Sequence, residues 1–235
     1  MRKKLVIKIV LSCAMLVIMC PITLVHAADE INGDLTYDEG AEIYKPTDEE
    51  IREDERRQNE VKLKEMLRAA PDGEKRTMDV PVFQQKNNYY CGPATVKQVL
   101  HYRNKSSKTQ EYYAGELGTT QSGTDMTKIK ALLNRLQNAP YIYANIGTSS
   151  EWLTKIKYSC STTIPAVLDI NTNSVSAFPY RSSGHFVNIS GLNTLDGHCK
   201  VRITDPYGPG LGNRWYYSSD LYKANYNHSR KAIIY

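Results

Sequence analysis

Cys91 is the residue whose surroundings best suit a reactive side chain. It is followed by Gly92-Pro93-Ala94 and by apolar residues at helical spacing, which predicts a helix over 91–103. Pro93 falls in the first turn, where its missing N–H costs nothing. The unpaired N–H groups and the helix dipole favour an anion at this end, so a thiol there gains nucleophilic character. On position alone, a buried structural cysteine is an equally good interpretation.

A thiolate nucleophile needs a base, and the base needs a group that orients it. His185 opens an apolar strand pattern and is the preferred candidate, although histidines at strand starts are more often structural. His101 lies in the predicted helix of Cys91, about 15 Å along its axis. His198 lies beside a predicted turn, and His228 lies among polar residues.

Asp205 is the candidate orienting group. A turn centred near residue 195 would join two strands into a hairpin and place residue 205 opposite His185. Facing residues stand about 5 Å apart, which suits a carboxylate that holds an imidazole. A register slip of two residues and a simple turn-forming role before proline both remain open. Asn188 and Asp169 are weaker candidates for the same role.

Gln85 or Gln84 is the candidate donor for an oxyanion. Acyl transfer develops negative charge on the carbonyl oxygen, and donors must be aimed at it beforehand. A glutamine amide six residues before Cys91 could act together with the Cys91 backbone N–H. Spacing alone does not choose between the two glutamines.

Four segments occur in an order that resembles a known family: Gln85-x5-Cys91, Gly92-Pro93-Ala94, Gly184-His185 and Asp205-Pro206. They resemble the bacteriocin-processing, double-glycine-leader cysteine peptidases (family 39 of the cysteine peptidases), and most of all their exported, stand-alone relatives. The resemblance implies Cys91 as nucleophile, His185 as general base and acid, Asp205 as orienter and Gln85 in the oxyanion hole. The family's six-residue spacing selects Gln85 over Gln84.

The resemblance covers about 78–235 and implies an α+β papain-like fold, with amino-terminal helices packed on a carboxy-terminal antiparallel sheet. The sequence itself is helical first and strand-rich afterwards. The expected strands are 164–170, 185–191, 200–204 and 231–235. The predicted function is peptide-bond hydrolysis. The alternatives are a cell-wall peptide or amide hydrolase on the same scaffold, and a non-catalytic binding module.

Residues 1–27 have the pattern of a signal peptide. A basic start precedes the apolar run 9–25, and Val25-His26-Ala27 fits the small-residue rule for cleavage before Ala28. The alternative is a retained membrane anchor, for which the run is short. We expect secretion or attachment at the cell surface of a Gram-positive bacterium, with no membrane span after cleavage.

Residues 28–77 form a charged, partly helical appendage. The stretch 28–78 has 16 acidic and 9 basic residues, whereas 79–235 has 9 acidic and 17 basic residues. Thr47 to Glu50 reads as a capping box that opens a helix to about Leu67. The appendage is either a spacer or an inhibitory pro-region folded over the cleft, released at an exposed loop near Lys75-Arg76.

The remaining cysteines, and the motifs that are missing, narrow the chemistry further. The mature chain has an odd number of cysteines, so Cys160 and Cys199 are either bridged or free. The sequence has no C-x-x-C or H-E-x-x-H motif, and no cofactor or metal is expected. The basic residues form no dense run, so the basic domain suits an anionic cell surface and a peptide or protein substrate better than nucleic acid.

Overall fold

The computed structural model describes residues 31–32, 44–67 and 73–235, so the predicted signal peptide lies outside the described residues. Six α-helices occur in this part: α1 (Asp48–Leu67), α2 (Cys91–Asn104), α3 (Gln110–Leu117), α4 (Met126–Leu136), α5 (Ser149–Thr162) and α6 (Ser218–Asn227). Its strands are β1 (Ile31–Asn32), β2 (Lys75–Thr77), β3 (Tyr143–Asn145), β4 (Val167–Ile170), β5 (Ser182–Asn193), β6 (Lys200–Thr204), β7 (Asn213–Tyr217) and β8 (Ala232–Ile234).

One antiparallel sheet forms the centre of the molecule, with the strand order β3-β8-β4-β5-β6-β7. The long strand β5 also pairs with β2 through residues 191–193 and, in parallel, with β1 through Ser182 and Gly184. Helices α2 to α4 precede the main sheet strands in the chain, and the fold is α+β as predicted. Among the described residues, no helix is long and apolar enough to cross a membrane.

Both faces of the sheet are covered by helices. Val167, Phe186 and Ile234 pack with apolar residues of α2 and α4 on one face. Their neighbours Leu168, Val187 and Ile233 pack with residues of α5 and α6 on the other. Because successive strand residues point to opposite faces, β4, β5 and β8 bury side chains in both directions.

Helix α1 begins at the predicted capping box. The Glu50 backbone N–H donates to Thr47 Oγ1 at 3.2 Å, and the Thr47 N–H donates to Glu50 Oε2 at 3.0 Å. The helix packs against α5 and β3 at one edge of the sheet. It is therefore packed on the domain, and the choice between a spacer and a pro-region for residues 28–77 stays a prediction.

The contacts of α1 are mostly polar. Arg57 is almost fully buried and donates to the Tyr235 carbonyl oxygen at 2.6 Å and to the Pro140 carbonyl oxygen at 3.0 Å. Glu50 accepts from Lys130 and, at 2.9 Å, from the Tyr143 N–H. The acidic helix therefore pairs directly with the basic domain.

The prediction of a protease-sensitive loop at Lys75-Arg76 is wrong. Residues 75–77 form β2 and pair with residues 191–193 of β5. The Thr194 N–H also donates to the Glu74 carbonyl oxygen at 2.8 Å. Because a peptidase needs an extended backbone that can leave its own hydrogen bonds, this segment is a poor cleavage site.

Candidate active site

Cys91 is the first residue of α2 and is fully buried. Gly92 is required next to it, because a Cβ at this position would lie 2.5 Å from Thr124 Oγ1. No side chain caps the helix start, so backbone N–H groups of the first turn remain available beside the thiol. The local sequence thus places the sulfur where a developing anion is stabilised.

A buried polar network fixes α2 against β5. Thr95 Oγ1 donates to the Phe186 carbonyl oxygen at 3.1 Å, and Asn188 Nδ2 donates to the Thr95 carbonyl oxygen at 3.1 Å. Asn188 Nδ2 also donates to Gln98 Oε1 at 2.8 Å. Asn188 is therefore engaged with α2, and the structure does not bring it to His185 as an orienting group.

His185 and Asp205 meet in the interior. His185 Nε2 donates to Asp205 Oδ1 at 2.8 Å, and both side chains are buried. The expected register is wrong by two residues: Asn188 pairs with Thr204, and a bulge follows Ile189. Asp205 lies just beyond the end of β6 and reaches His185 diagonally, which is within reach of these side chains.

The charges around His185 favour its protonated form. Burial by itself would lower the pKa of His185, but the Asp205 carboxylate and the Cys91 thiolate outweigh burial and raise this pKa well above its ordinary range. His185 Nδ1 has no hydrogen-bond partner among the described residues. Since Nε2 is occupied by Asp205, Nδ1 is the ring atom left for the thiol. The arrangement can hold a thiolate–imidazolium pair.

The structure distinguishes Gln85 from Gln84. Gln84 is exposed, whereas Gln85 is half-buried and its Nε2 donates to the Asn87 carbonyl oxygen at 2.8 Å. The Gln85 backbone N–H donates to the Pro206 carbonyl oxygen at 2.7 Å. This bond ties the loop before Cys91 to the residue that follows Asp205.

The other candidates have different surroundings. His101 Nδ1 lies 3.1 Å from Ser107 Oγ, and His198 is exposed. Asp169 accepts from Arg230 at 2.9 Å and lies 3.5 Å from His228 Nε2. Within the described part of the chain, none of these side chains makes a hydrogen bond with Cys91.

The second and third thiols are not bridged: Cys160 and Cys199 are free. Burial raises the pKa of Cys160 to about 12, so its thiol stays protonated and unreactive. Within residues 31–32, 44–67 and 73–235, no group of three or more His, Cys, Asp or Glu side chains is placed to hold a metal ion.

Sequence reasoning missed Tyr180. Its hydroxyl donates to Asp205 Oδ2 at 2.6 Å, and its ring lies edge-on to His185 with 5.4 Å between centroids. The chain contains 17 tyrosines, and no spacing singles out this one. Only the folded structure identifies it.

A thiol at a helix start, beside an imidazole that an antiparallel sheet carries and a carboxylate holds, defines a papain-like cysteine peptidase. The family model described as the Peptidase_C39 like family matches residues 77–234. The chain belongs to this family and is a cysteine peptidase. A comparison with curated proteins found no match.

Several solved structures are similar to the chain. One is a double glycine motif protease from an AMS/PCAT transporter in complex with the leader peptide: 19% identity, 67% of this chain and 90% of that chain covered, TM-score 0.46. The peptidase domain of Streptococcus ComA is 15% identical, with 66% and 96% covered and a TM-score of 0.45. Procathepsin L 3 of Tenebrio molitor larval midgut is 12% identical, with 71% and 70% covered and a TM-score of 0.46.

Proposed function

We propose that the protein is an exported peptidase that hydrolyses peptide bonds through Cys91, His185 and Asp205, with Gln85 as a donor in the oxyanion hole. The observation that carries the proposal is the buried His185–Asp205 hydrogen bond beside a thiol at a helix start. Its substrates are peptides or proteins. A hydrolase of cell-wall peptides or amides on the same scaffold is the second candidate, because it would use the same groups.

The reaction follows from the charges at the site. The Cys91 thiolate attacks the carbonyl carbon, and the oxyanion accepts hydrogen bonds from the Cys91 N–H and Gln85. The C–N bond then breaks as the His185 imidazolium gives its proton to the leaving amine, which leaves a thioester. Water attacks the thioester, its proton passes to His185, and release of the acid restores the thiolate. Asp205 keeps the ring oriented throughout.

Export is supported by the signal-peptide pattern of residues 1–27. We expect the mature protein outside the cell or at its surface, where the basic residues of 79–235 that lie away from α1 would meet anionic polymers. N-terminal sequencing of protein recovered from the culture medium of a producing Gram-positive bacterium should give Ala28 as the first residue. Full-length protein held in the membrane fraction would contradict export.

The catalytic proposal is tested with an electrophilic thiol probe. Adducts are mapped by mass spectrometry, and Cys91 should react first although it is buried. Cys199 is half-buried and free, so its labelling reports accessibility without activation. Cys91→Ala and His185→Ala should each abolish peptide turnover; Cys91→Ala should leave the thermal transition nearly unchanged, whereas His185→Ala leaves the buried Asp205 carboxylate without its partner and should lower it. A large loss of stability in both variants would instead indicate structural roles.

We also propose that the amino-terminal segment restrains the site. Asn32 in β1 pairs with Gly184, which directly precedes His185, and both Cys91 and His185 are fully buried. Helix α1 does not provide the proposed restraint, because it packs at β3, three strands away from β5. The restraint therefore belongs to the part of the chain before Tyr44.

A specific protease site inserted within 33–43 tests this restraint, because the chain is cut only after it has folded. Cutting should increase the rate at which the probe labels Cys91 and should leave the rate at Cys199 unchanged. Equal Cys91 rates before and after cutting would remove the restraint proposal. The same cut form also serves for mapping the adduct, so that the proposed restraint by β1 is not mistaken for lack of reactivity.

A further inference from the structure

The Asp205 carboxylate is held on both of its oxygens. Oδ1 accepts from His185 Nε2 at 2.8 Å and from the Tyr207 backbone N–H at 2.9 Å. Oδ2 accepts from the Tyr180 hydroxyl at 2.6 Å. A carboxylate with donors on both oxygens cannot turn about its Cβ–Cγ bond without losing one of them. Its plane, and with it the direction of Oδ1, is therefore set by two partners besides the imidazole.

Tyr180 is itself rigidly placed. Its carbonyl oxygen accepts from Thr172 Oγ1 at 3.0 Å, and Thr172 Oγ1 also accepts from the Ser182 N–H at 2.9 Å. The Tyr180 ring packs at 5.9 Å from Phe178, which stacks on Tyr216 at 4.4 Å. The hydroxyl therefore reaches Asp205 from a fixed backbone and a packed ring.

We propose that Tyr180 is a positioning residue of the peptidase, whose hydroxyl fixes the Asp205 carboxylate so that Oδ1 faces His185. The proposal rests on the catalytic function given to His185 and Asp205 above. Tyr180 acts through Asp205 and touches no reacting atom. Burial, followed by the nearby Asp205 charge, raises the pKa of Tyr180 well above its ordinary value, so the hydroxyl remains a donor wherever the enzyme works.

Removal of this hydroxyl has a definite electrostatic consequence. Asp205 Oδ2 would be buried without a donor, and the carboxylate would turn to share the remaining donors. Oδ1 would then be less well aligned with Nε2, so the imidazolium would lose part of its stabilisation. The charged and titratable groups that face His185 are Asp205, Cys91, Tyr180 and Tyr207. When the Tyr180 hydroxyl is removed, only Asp205 is expected to move.

Tyr180→Phe removes the hydroxyl and keeps the ring. Tyr143→Phe is the matched control, because Tyr143 is fully buried in β3 and its hydroxyl has no hydrogen-bond partner among the described residues. The titration of His185 is followed by NMR with labelled histidine, and peptide turnover is measured in parallel. Tyr180→Phe should lower the pKa of His185 by about one unit and reduce kcat about tenfold with a smaller change in KM, whereas Tyr143→Phe should change neither.

An unchanged His185 titration in folded Tyr180→Phe, or an equal shift in Tyr143→Phe, would overturn the positioning role. If Tyr180→Phe does not fold, 3-fluorotyrosine at position 180 keeps the ring and strengthens the donor, and an unaltered titration then overturns it. The NMR readout needs no substrate. If the parent protein has no peptide turnover but Tyr180→Phe shifts the His185 titration, only the proposed peptidase activity is refuted. If the parent protein turns over peptides but Tyr180→Phe does not shift the titration, only this inference is refuted.

Discussion

Gln85, the proposed oxyanion-hole donor, is held in place by its side chain and by its backbone. Its Nε2 is held by the Asn87 carbonyl oxygen, and its Oε1 is buried without a hydrogen-bond partner in the described part of the chain. The bond from its backbone to Pro206 keeps the loop beside Asp205, the proposed orienting residue. An amide nitrogen has two N–H donors, and the second one is the donor that the oxyanion proposal uses.

Replacement of Gln85 should therefore affect the chemical step more than binding. We expect Gln85→Ala to lower kcat by about 10²-fold with little change in KM, since the oxyanion forms only in the transition state. Gln84→Ala is the matched control and should leave both constants near those of the parent. Equal losses in the two variants, measured by steady-state hydrolysis of a peptide, would assign the oxyanion role to neither.

The sequence predicts which of the candidate site residues meet, but not the register in which they meet. Spacing and strand patterns are enough to pair His185 with Asp205, because a hairpin brings its two ends together. The predicted register was wrong by two residues, because the turn is centred between residues 196 and 197 instead of near 195, and the bulge after Ile189 takes back only one residue of this shift. Bulges and turn lengths depend on packing that no single-sequence pattern encodes, and the same holds for Tyr180, which approaches from a separate loop.

At the scale of elements, α1 is a helix whose contact with the domain is made by charged groups. The sequence predicts its start and end well, because the capping box is local. It gives no sign of the docking face, since the apolar residues make a poor stripe and the buried members include Glu50 and Arg57. Four elements after α2 were likewise missed, namely α3, β3, β7 and α6, whose apolar patterns are short.

Arg57 should account for much of the docking of α1. Arg57→Ala would leave the Tyr235 and Pro140 carbonyl oxygens without their donor and open space between two tyrosine rings. We expect a loss of about 3 kcal/mol in the free energy of unfolding, which is typical when one partner of a buried charged network is removed. Denaturant titration measures this loss.

Arg52→Ala is the control for Arg57→Ala, because Arg52 lies on the same helix and is exposed. Its removal should change the free energy of unfolding by less than about 0.5 kcal/mol. If the two variants were equally stable, α1 would rest on the domain without being fixed by Arg57.

At the scale of the whole molecule, the folded unit is larger than the family domain. The family model starts at residue 77, whereas α1 ends ten residues earlier at Leu67 and contributes the buried Val61 to the main core. Acidic residues of α1 form ion pairs with basic residues of 79–235, among them Asp54 with Lys155 and Glu65 with Lys157. A protein that starts at Thr77 should therefore be less stable than one that contains α1.

Calorimetry of two shortened forms tests this view. The form that starts at Thr77 should melt at least about 10 °C below the form that starts at Tyr44, since loss of α1 removes several kcal/mol of buried contacts. Coincident transitions would show that α1 adds little. The form from Tyr44 also lacks β1, so it should combine full stability with faster labelling of Cys91.

The position of β8 in the sheet has a consequence for the synthesis of the protein. Residues 232–234 pair with β3 on one side and with β4 on the other. Both of these strands are synthesised well before β8, which joins them. Until that stretch leaves the ribosome, β3 has no strand through which to join β4 and the rest of the sheet. The order of synthesis thus makes completion of the sheet one of the last steps in folding of the nascent chain.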